Sequence, residues 1–167
     1  MKRFLMIAVA LLPLTLLAQA RIGLVNSQQL FDLMPEKTQA ESQLQALSDK
    51  YHAEYMMLRE EFDKKYADYQ TIAADPSTPE TIRERRVQEL QENDKKIREF
   101  ERRAAEDLAS RRTALTQPIT DKIQAAIRNA GEQTNLDLVL DTAVTPVAYA
   151  GHSTIDLMPV VKALLGL

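Results

Sequence analysis

Between residues 44 and 69 the larger apolar and aromatic side chains fall at Leu44, Leu47, Tyr51, Tyr55, Leu58, Phe62, Tyr66 and Tyr69, with polar residues between them. Their spacing is three, four, four, three, four, four, three, a repeat of eleven. That is about 3.67 residues per turn, close to an undistorted helix. These positions fall on one stripe about 100° wide. A second stripe of similar width follows at Ile82, Leu90, Ile97, Phe100, Ala104, Leu108 and Leu115. Two helices with one apolar stripe each can bury it by folding back on one another. The pattern predicts an antiparallel helical hairpin.

The turn is expected where the pattern breaks, at "ADPSTPE", residues 74–80. Asp75 precedes Pro76 and is pushed out of the α region, which ends the first helix. Thr78 is placed to cap the second, with Pro79 at its first position and Glu80 favouring the positive helix end. The tip therefore lies near residues 75–78. Pro35 and Pro118 are equally far from its midpoint and come level in a hairpin, so both arms are expected to kink at one height, and to open there. The arm spans 35–118, each side about 60 Å long at about 1.5 Å per residue. Beyond Pro118, Ile119, Ile123 and Ile127 take a different helical phase, so the helix turns to a new neighbour there.

The two ends are of another kind. Ile22, Leu24 and Val25 form a short β-rich run, with Asn26 or Ser27 placed to cap a following helix. Two more strands are predicted, at 136–142 (with Leu138, Val139 and Leu140) and at 147–150 (with Val147 and Tyr149). Asn135 suits the left-handed end of the preceding helix. Asp156 is placed to cap a last helix, with Pro159 in its first turn and Ile155 stapled to Val160. The predicted fold is α+β and predominantly α. A coiled-coil hairpin stands on a small β-rich body made of residues 21–34 and 119–167. Three short strands make a marginal core, so several chains are expected to pool them.

Residues 1–20 carry a different signature. Lys2 and Arg3 precede an apolar run from Phe4 to Ala18, and the segment closes Ala18-Gln19-Ala20. This fits a cleaved secretory signal, and the run is short for a bilayer span. The mature chain is expected to start near Arg21, in the periplasm. The formal charge of −3 becomes −5 without Lys2 and Arg3. An exported acidic chain is a poor partner for nucleic acid. With no cysteine, neither a disulfide nor a lipid-modified cysteine is available. The arms differ in charge: residues 36–75 hold five basic and nine acidic side chains, and residues 80–112 hold ten and nine. A net −4 facing +1 favours register more than stability.

Catalytic patterns are not found. His52 and His152 stand a hundred positions apart, in arm and end, without a third group at ligand or triad spacing. No glycine-rich phosphate loop or G-x-S-x-G occurs, and Glu60, Glu61 and Asp63 read as solvated helix surface. An enzyme is not expected, and no residue is assigned to catalysis, cofactor or metal.

The ends carry a resemblance. Ile22-Gly23-Leu24-Val25-Asn26 with Leu30-Phe31, then Leu136-Asp137-Leu138-Val139-Leu140-Asp141 with Val147-Ala148-Tyr149, and the closing Asp156-Leu157 helix resemble the OmpH-like (Skp) family of periplasmic chaperones. The likeness spans essentially the whole mature chain, although the arms match only in character. It implies a jellyfish-like homotrimer whose β-rich body carries three helical arms around a cavity. It implies holding of unfolded outer-membrane proteins there, without ATP or cofactor. Such a cage would shelter exposed apolar strands, which aggregate through unpaired edges. Well-known members are strongly basic, a charge linked to acidic lipid and lipopolysaccharide. The acidity of this chain argues against a membrane-surface or lipopolysaccharide partner.

Candidate client contacts follow from the arm. Met56 and Met57 lie well off the stripe, on opposite flanks, and methionine adapts to varied partners. Tyr51, Tyr55, Tyr66 and Tyr69 lie on the stripe, where they serve either the seam or a client. The competing function is an exported coiled-coil spacer that docks one fixed partner. The end motifs and the mid-arm tip favour the chaperone, because a spacer would more naturally be one unbroken heptad rod.

Overall fold

A computed structural model describes residues 20–167; the expected signal, residues 1–20, lies outside the described residues except for Ala20. The chain runs β1 (Ile22–Val25), α1 (Ser27–Leu33), α2 (Pro35–Ala74), α3 (Glu80–Gln133), β2 (Leu138–Asp141), β3 (Ile155–Asp156) and α4 (Met158–Leu165). The hairpin α2–α3 stands on a root made of everything else. No described helix is long and apolar enough to cross a membrane.

Local chemistry sets the element ends. Asn26 caps α1 by accepting the Gln29 N–H at 2.9 Å. Met34 is extended, and Pro35 opens α2 at its first turn, so this proline marks a true break between two helices. Asn135 takes a left-handed φ of 51°, as expected for the residue that ends α3.

The tip turns at Asp75, but it is held otherwise than its sequence suggests. Thr78 makes no capping bond; α3 starts at Glu80 with Pro79 in the cap position. Asp75 does the work instead. Its Oδ1 accepts the Ser77 N–H at 2.9 Å and the Ser77 hydroxyl at 2.7 Å. Its carbonyl accepts Arg83 Nη2 at 2.9 Å. The Asp75 carboxylate closes an Asx turn on Ser77, and the first turn of α3 has no side-chain cap.

Pro118 sits inside α3, which is helical through it from Glu80 to Gln133. The proline is exposed and leaves the Ala114 carbonyl without a helical donor. Around it Thr113, Thr116 and Thr120 return hydroxyl bonds to the carbonyls of Ala109, Arg112 and Thr116. Missing donor and back-bonding threonines are the local ingredients of a helix bend.

The sheet is parallel, in the order β2-β1-β3, with β1 central. The crossover from β1 to β2 is the entire hairpin. Ile22 faces Leu138 and Val25 faces Asp141, while Gly23 faces Ile155. A Cβ on Gly23 would stand 2.4 Å from Leu136 Cδ1, so a side chain there would push Leu136 aside.

The third strand is not where the pattern put it. Residues 147–150 are not in a strand, and Tyr149 is 82% exposed. Ile155–Asp156 takes the free edge of β1, and the Leu157 N–H extends the ladder by donating to the Leu24 carbonyl at 2.9 Å. With β2 and β3 on its two sides, β1 has no edge left for Val147. Asp156 still serves α4, accepting the Met158 N–H at 2.9 Å, although Leu157 occupies the cap position.

The core lies in the root. Leu30, Met34, Leu157 and Val161 are its largest fully buried side chains. Ile119, Ile123, Ala126 and Ala130 bring the end of α3 into it, which is the change of phase expected past Pro118. The arms are packed much more thinly.

Candidate binding surface on the arm

Among the described residues of the arm, Ala40 is buried at its base against the root core, and farther out only Asn93, Ile97 and Ala104 are fully buried. The remaining stripe positions are half-buried or exposed, which suits two helices that share a seam without a third layer. Tyr51 is a seam residue. Its ring meets Phe100 edge-on at 5.9 Å, and its hydroxyl donates to Asp107 Oδ2 at 2.8 Å. That hydrogen bond raises the Tyr51 pKa above its usual value. Tyr55 and Tyr69 are half-buried.

Tyr66 behaves differently. It is 47% exposed and stacks on Phe62 with ring centroids 6.3 Å apart, and Arg59 lies over the other ring at 5.5 Å. Met56 and Met57 are 52% and 64% exposed. The structure thus divides the six arm candidates. Met56, Met57 and Tyr66 face outward, whereas Tyr51 is engaged in the seam. Ile82, assigned to the second stripe, is also among the exposed apolar side chains near the tip.

Charge crosses between the arms at one ion pair among the described residues. Lys122 donates to Glu36 Oε1 at 2.6 Å, level with Pro35 and Pro118, and holds the Glu36 carboxyl below its usual pKa. The other arm pairs run along a single helix, such as Glu60–Lys64, Asp94–Arg98 and Arg102–Glu106. The net charge difference between arms is therefore not spent on cross-links. Long side chains reach i,i+4 neighbours at less entropic cost than a partner across the seam.

Two seam residues escaped the apolar count because they are polar. Asn93 is buried in the seam, and its Nδ2 meets no acceptor in hydrogen-bonding geometry. It nonetheless helps, after Lys65 and Lys96, to keep the Glu61 carboxyl below its usual value. Asp107 receives the Tyr51 hydroxyl. The signal for both was the spacing 90, 93, 97, 100, 104, 107, an alternation of three and four through polar and apolar residues alike.

In the root, Val25 is buried and Ile22, Leu24, Val139, Leu140 and Val147 are half-buried. Leu138 is 50% exposed, Val144 77% and Tyr149 82%. A groove of about 460 Å³ runs between the end of α3 and β2, lined by Ile127, Gly131, Leu136 and Leu138 among others. A second, of about 270 Å³, lies between the arms at Pro118, under Glu36 and Lys122.

Each displaced carboxyl is lowered: Asp32 by Lys37, Glu60 by Lys64, Glu89 by Arg86. Burial pushes Asp141 up, but the Ser27 and Ala143 N–H groups it accepts bring it below its usual value. Lowered, solvated carboxylates are ion-pair and capping groups, and a general acid needs the opposite displacement. His52 and His152 are both exposed, one on α2 and one before β3.

The family model described as "Outer membrane protein (OmpH-like)" matches residues 21–165, from the start of the root to the last turn of α4. No curated protein matches the chain.

Proposed function

From the premise that the chain belongs to the OmpH-like family, which supports a chaperone of the periplasmic Skp kind in general, we propose a specific role. It is an ATP-independent holding chaperone for unfolded outer-membrane proteins, acting as a homotrimer after export and removal of residues 1–20. The observation that carries this is the arm. It is long and thinly packed, and it presents Met56, Met57 and Tyr66 outward on an otherwise charged surface. Scattered apolar contacts on a polar arm hold an unfolded chain without trapping it, because each is weak and adaptable.

Self-association is supported by the root. Leu138, Val144 and Tyr149 expose apolar surface beside a three-stranded sheet whose outer edges are open. A sheet that small gains from pooling with other copies. Binding to lipopolysaccharide is not part of the proposal, since the chain is acidic.

The test is the native mass of residues 21–167, alone and after a urea-unfolded outer-membrane barrel protein is diluted into it. Three chains alone, and three chains with a soluble client, are expected. A defined oligomer that leaves the client to precipitate would refute the holding role and leave an arm that docks one fixed partner.

A further inference from the structure

We propose that the α-ammonium freed on Arg21 when residues 1–20 are removed becomes a structural ion pair with Asp137. This rests on the export reading above. In the folded chain the Arg21 backbone N–H donates to Asp137 Oδ2 at 2.8 Å, across 116 positions. The Arg21 carbonyl accepts the Asp137 N–H at 3.0 Å and the Leu138 N–H at 3.4 Å. Three hydrogen bonds therefore tie the residue before β1 to the start of β2.

Cleavage changes the chemistry of one of these donors without moving it. Hydrolysis adds water across the peptide bond. The hydroxyl goes to the Ala20 carbonyl, which leaves as a carboxylate; the Arg21 nitrogen takes the proton from water and the one released by that acid. An α-amine is ordinarily protonated below about pH 7.7–8.0, so the nitrogen becomes an ammonium at neutral pH. The neutral amide that faced Asp137 becomes a cation on the same carboxylate. Such charge-assisted bonds are about twice as strong as neutral ones.

The position of the cut agrees with this. Ala20 and Ala18 supply small residues at the last and third-last positions, whereas a cut after Ala18 would put Leu16 at the third-last. Ala20 is exposed, and β1 begins one residue after Arg21. Each residue retained ahead of Arg21 would displace the ammonium by up to about 3.6 Å and leave a neutral amide on Asp137. The carboxylate is exposed, so the gain is modest but measurable.

The test compares residues 21–167 bearing a free Arg21 α-amine with the same chain Nα-acetylated at Arg21, each also as Asp137→Asn. Acetylation keeps the N–H donor and removes only the charge. The free-amine chain is expected to melt about 1–3 °C higher at low salt. The gap should close in Asp137→Asn and shrink in about 1 M salt, where the screening length falls to about 3 Å. Equal melting temperatures, or a gap that survives Asp137→Asn, would overturn the ion pair. Intact mass of the chain recovered from periplasm is expected to place the N-terminus at Arg21. Any other mature terminus overturns the processing site, and recovery only with residues 1–20 attached overturns the export reading instead.

Discussion

Asn93 offers the sharpest probe of how the arm is built. It is 6% exposed in a seam where, away from the base of the arm, Ile97 and Ala104 are the other fully buried described residues, and its Nδ2 meets no acceptor in hydrogen-bonding geometry. A buried unsatisfied donor costs about 1–3 kcal/mol, and burying a leucine side chain contributes about 1.5–3 kcal/mol. Some of that sum is lost to overpacking, so Asn93→Leu should stabilise the chain by about 1–3 kcal/mol. For a chain of this size that is a rise of roughly 3–9 °C in melting temperature. Asn93→Ala removes the same amide but leaves a gap, and should fall within about 1 kcal/mol of the parent. Thermal melting of the two variants is the primary assay, with slowed amide exchange around Ile97 as the local readout. A fall in melting temperature for both variants would refute the reasoning. The amide would then be a net stabiliser, for example through Glu61. A polar seam residue that costs stability while setting register is a known device in paired helices.

Other expectations address the surface, the core and pH. Met56→Glu with Met57→Glu should leave the melting temperature unchanged and weaken retention of an unfolded barrel protein several-fold, read by light scattering of the diluted client; unchanged retention would remove these residues from the contact surface. Leu157→Ala should cost about 2–5 kcal/mol in urea unfolding, because Leu157 is fully buried in the root core at the start of α4 and its deletion leaves a cavity. Glu36 is held below 4.5 by its hydrogen bond to Lys122, so its contribution is present above pH 4.5 and lost as pH falls through its lower folded value. Glu36→Gln should therefore flatten acid destabilisation below about pH 4.5. Tyr51 has the opposite sign: its raised pKa gives stability present below pH 10.0 and lost as pH rises through the folded value, and Tyr51→Phe should flatten that alkaline limb.

Much of this protein follows from neighbours in the chain. The two apolar stripes, the break at Asp75-Pro76, the cap at Asn26 and the left-handed Asn135 depend on residues within a few positions of one another, and local preference decides them. The change of phase after Pro118 is equally local, and the burial of Ile119 and Ile123 follows from it. The tip illustrates the limit. Thr78 was placed to cap α3 but makes no capping bond, and the turn is closed instead by Asp75 on Ser77 and by Arg83 reaching back to the Asp75 carbonyl.

Tertiary structure alone decided what depends on distant partners. Ile155–Asp156 is too short to show a strand period; it is a strand because β1 has one open edge and Leu157 can seal it. Val147 and Tyr149 have strand composition, but both edges of β1 are already taken by β2 and β3. Tyr51 finds Asp107, Glu36 finds Lys122 and Arg21 finds Asp137 across 56, 86 and 116 positions. Periodicity says which face of a helix is turned inward. It cannot say what stands opposite, because that is set by the register of two long helices and by a sheet whose strands lie at the two ends of the chain.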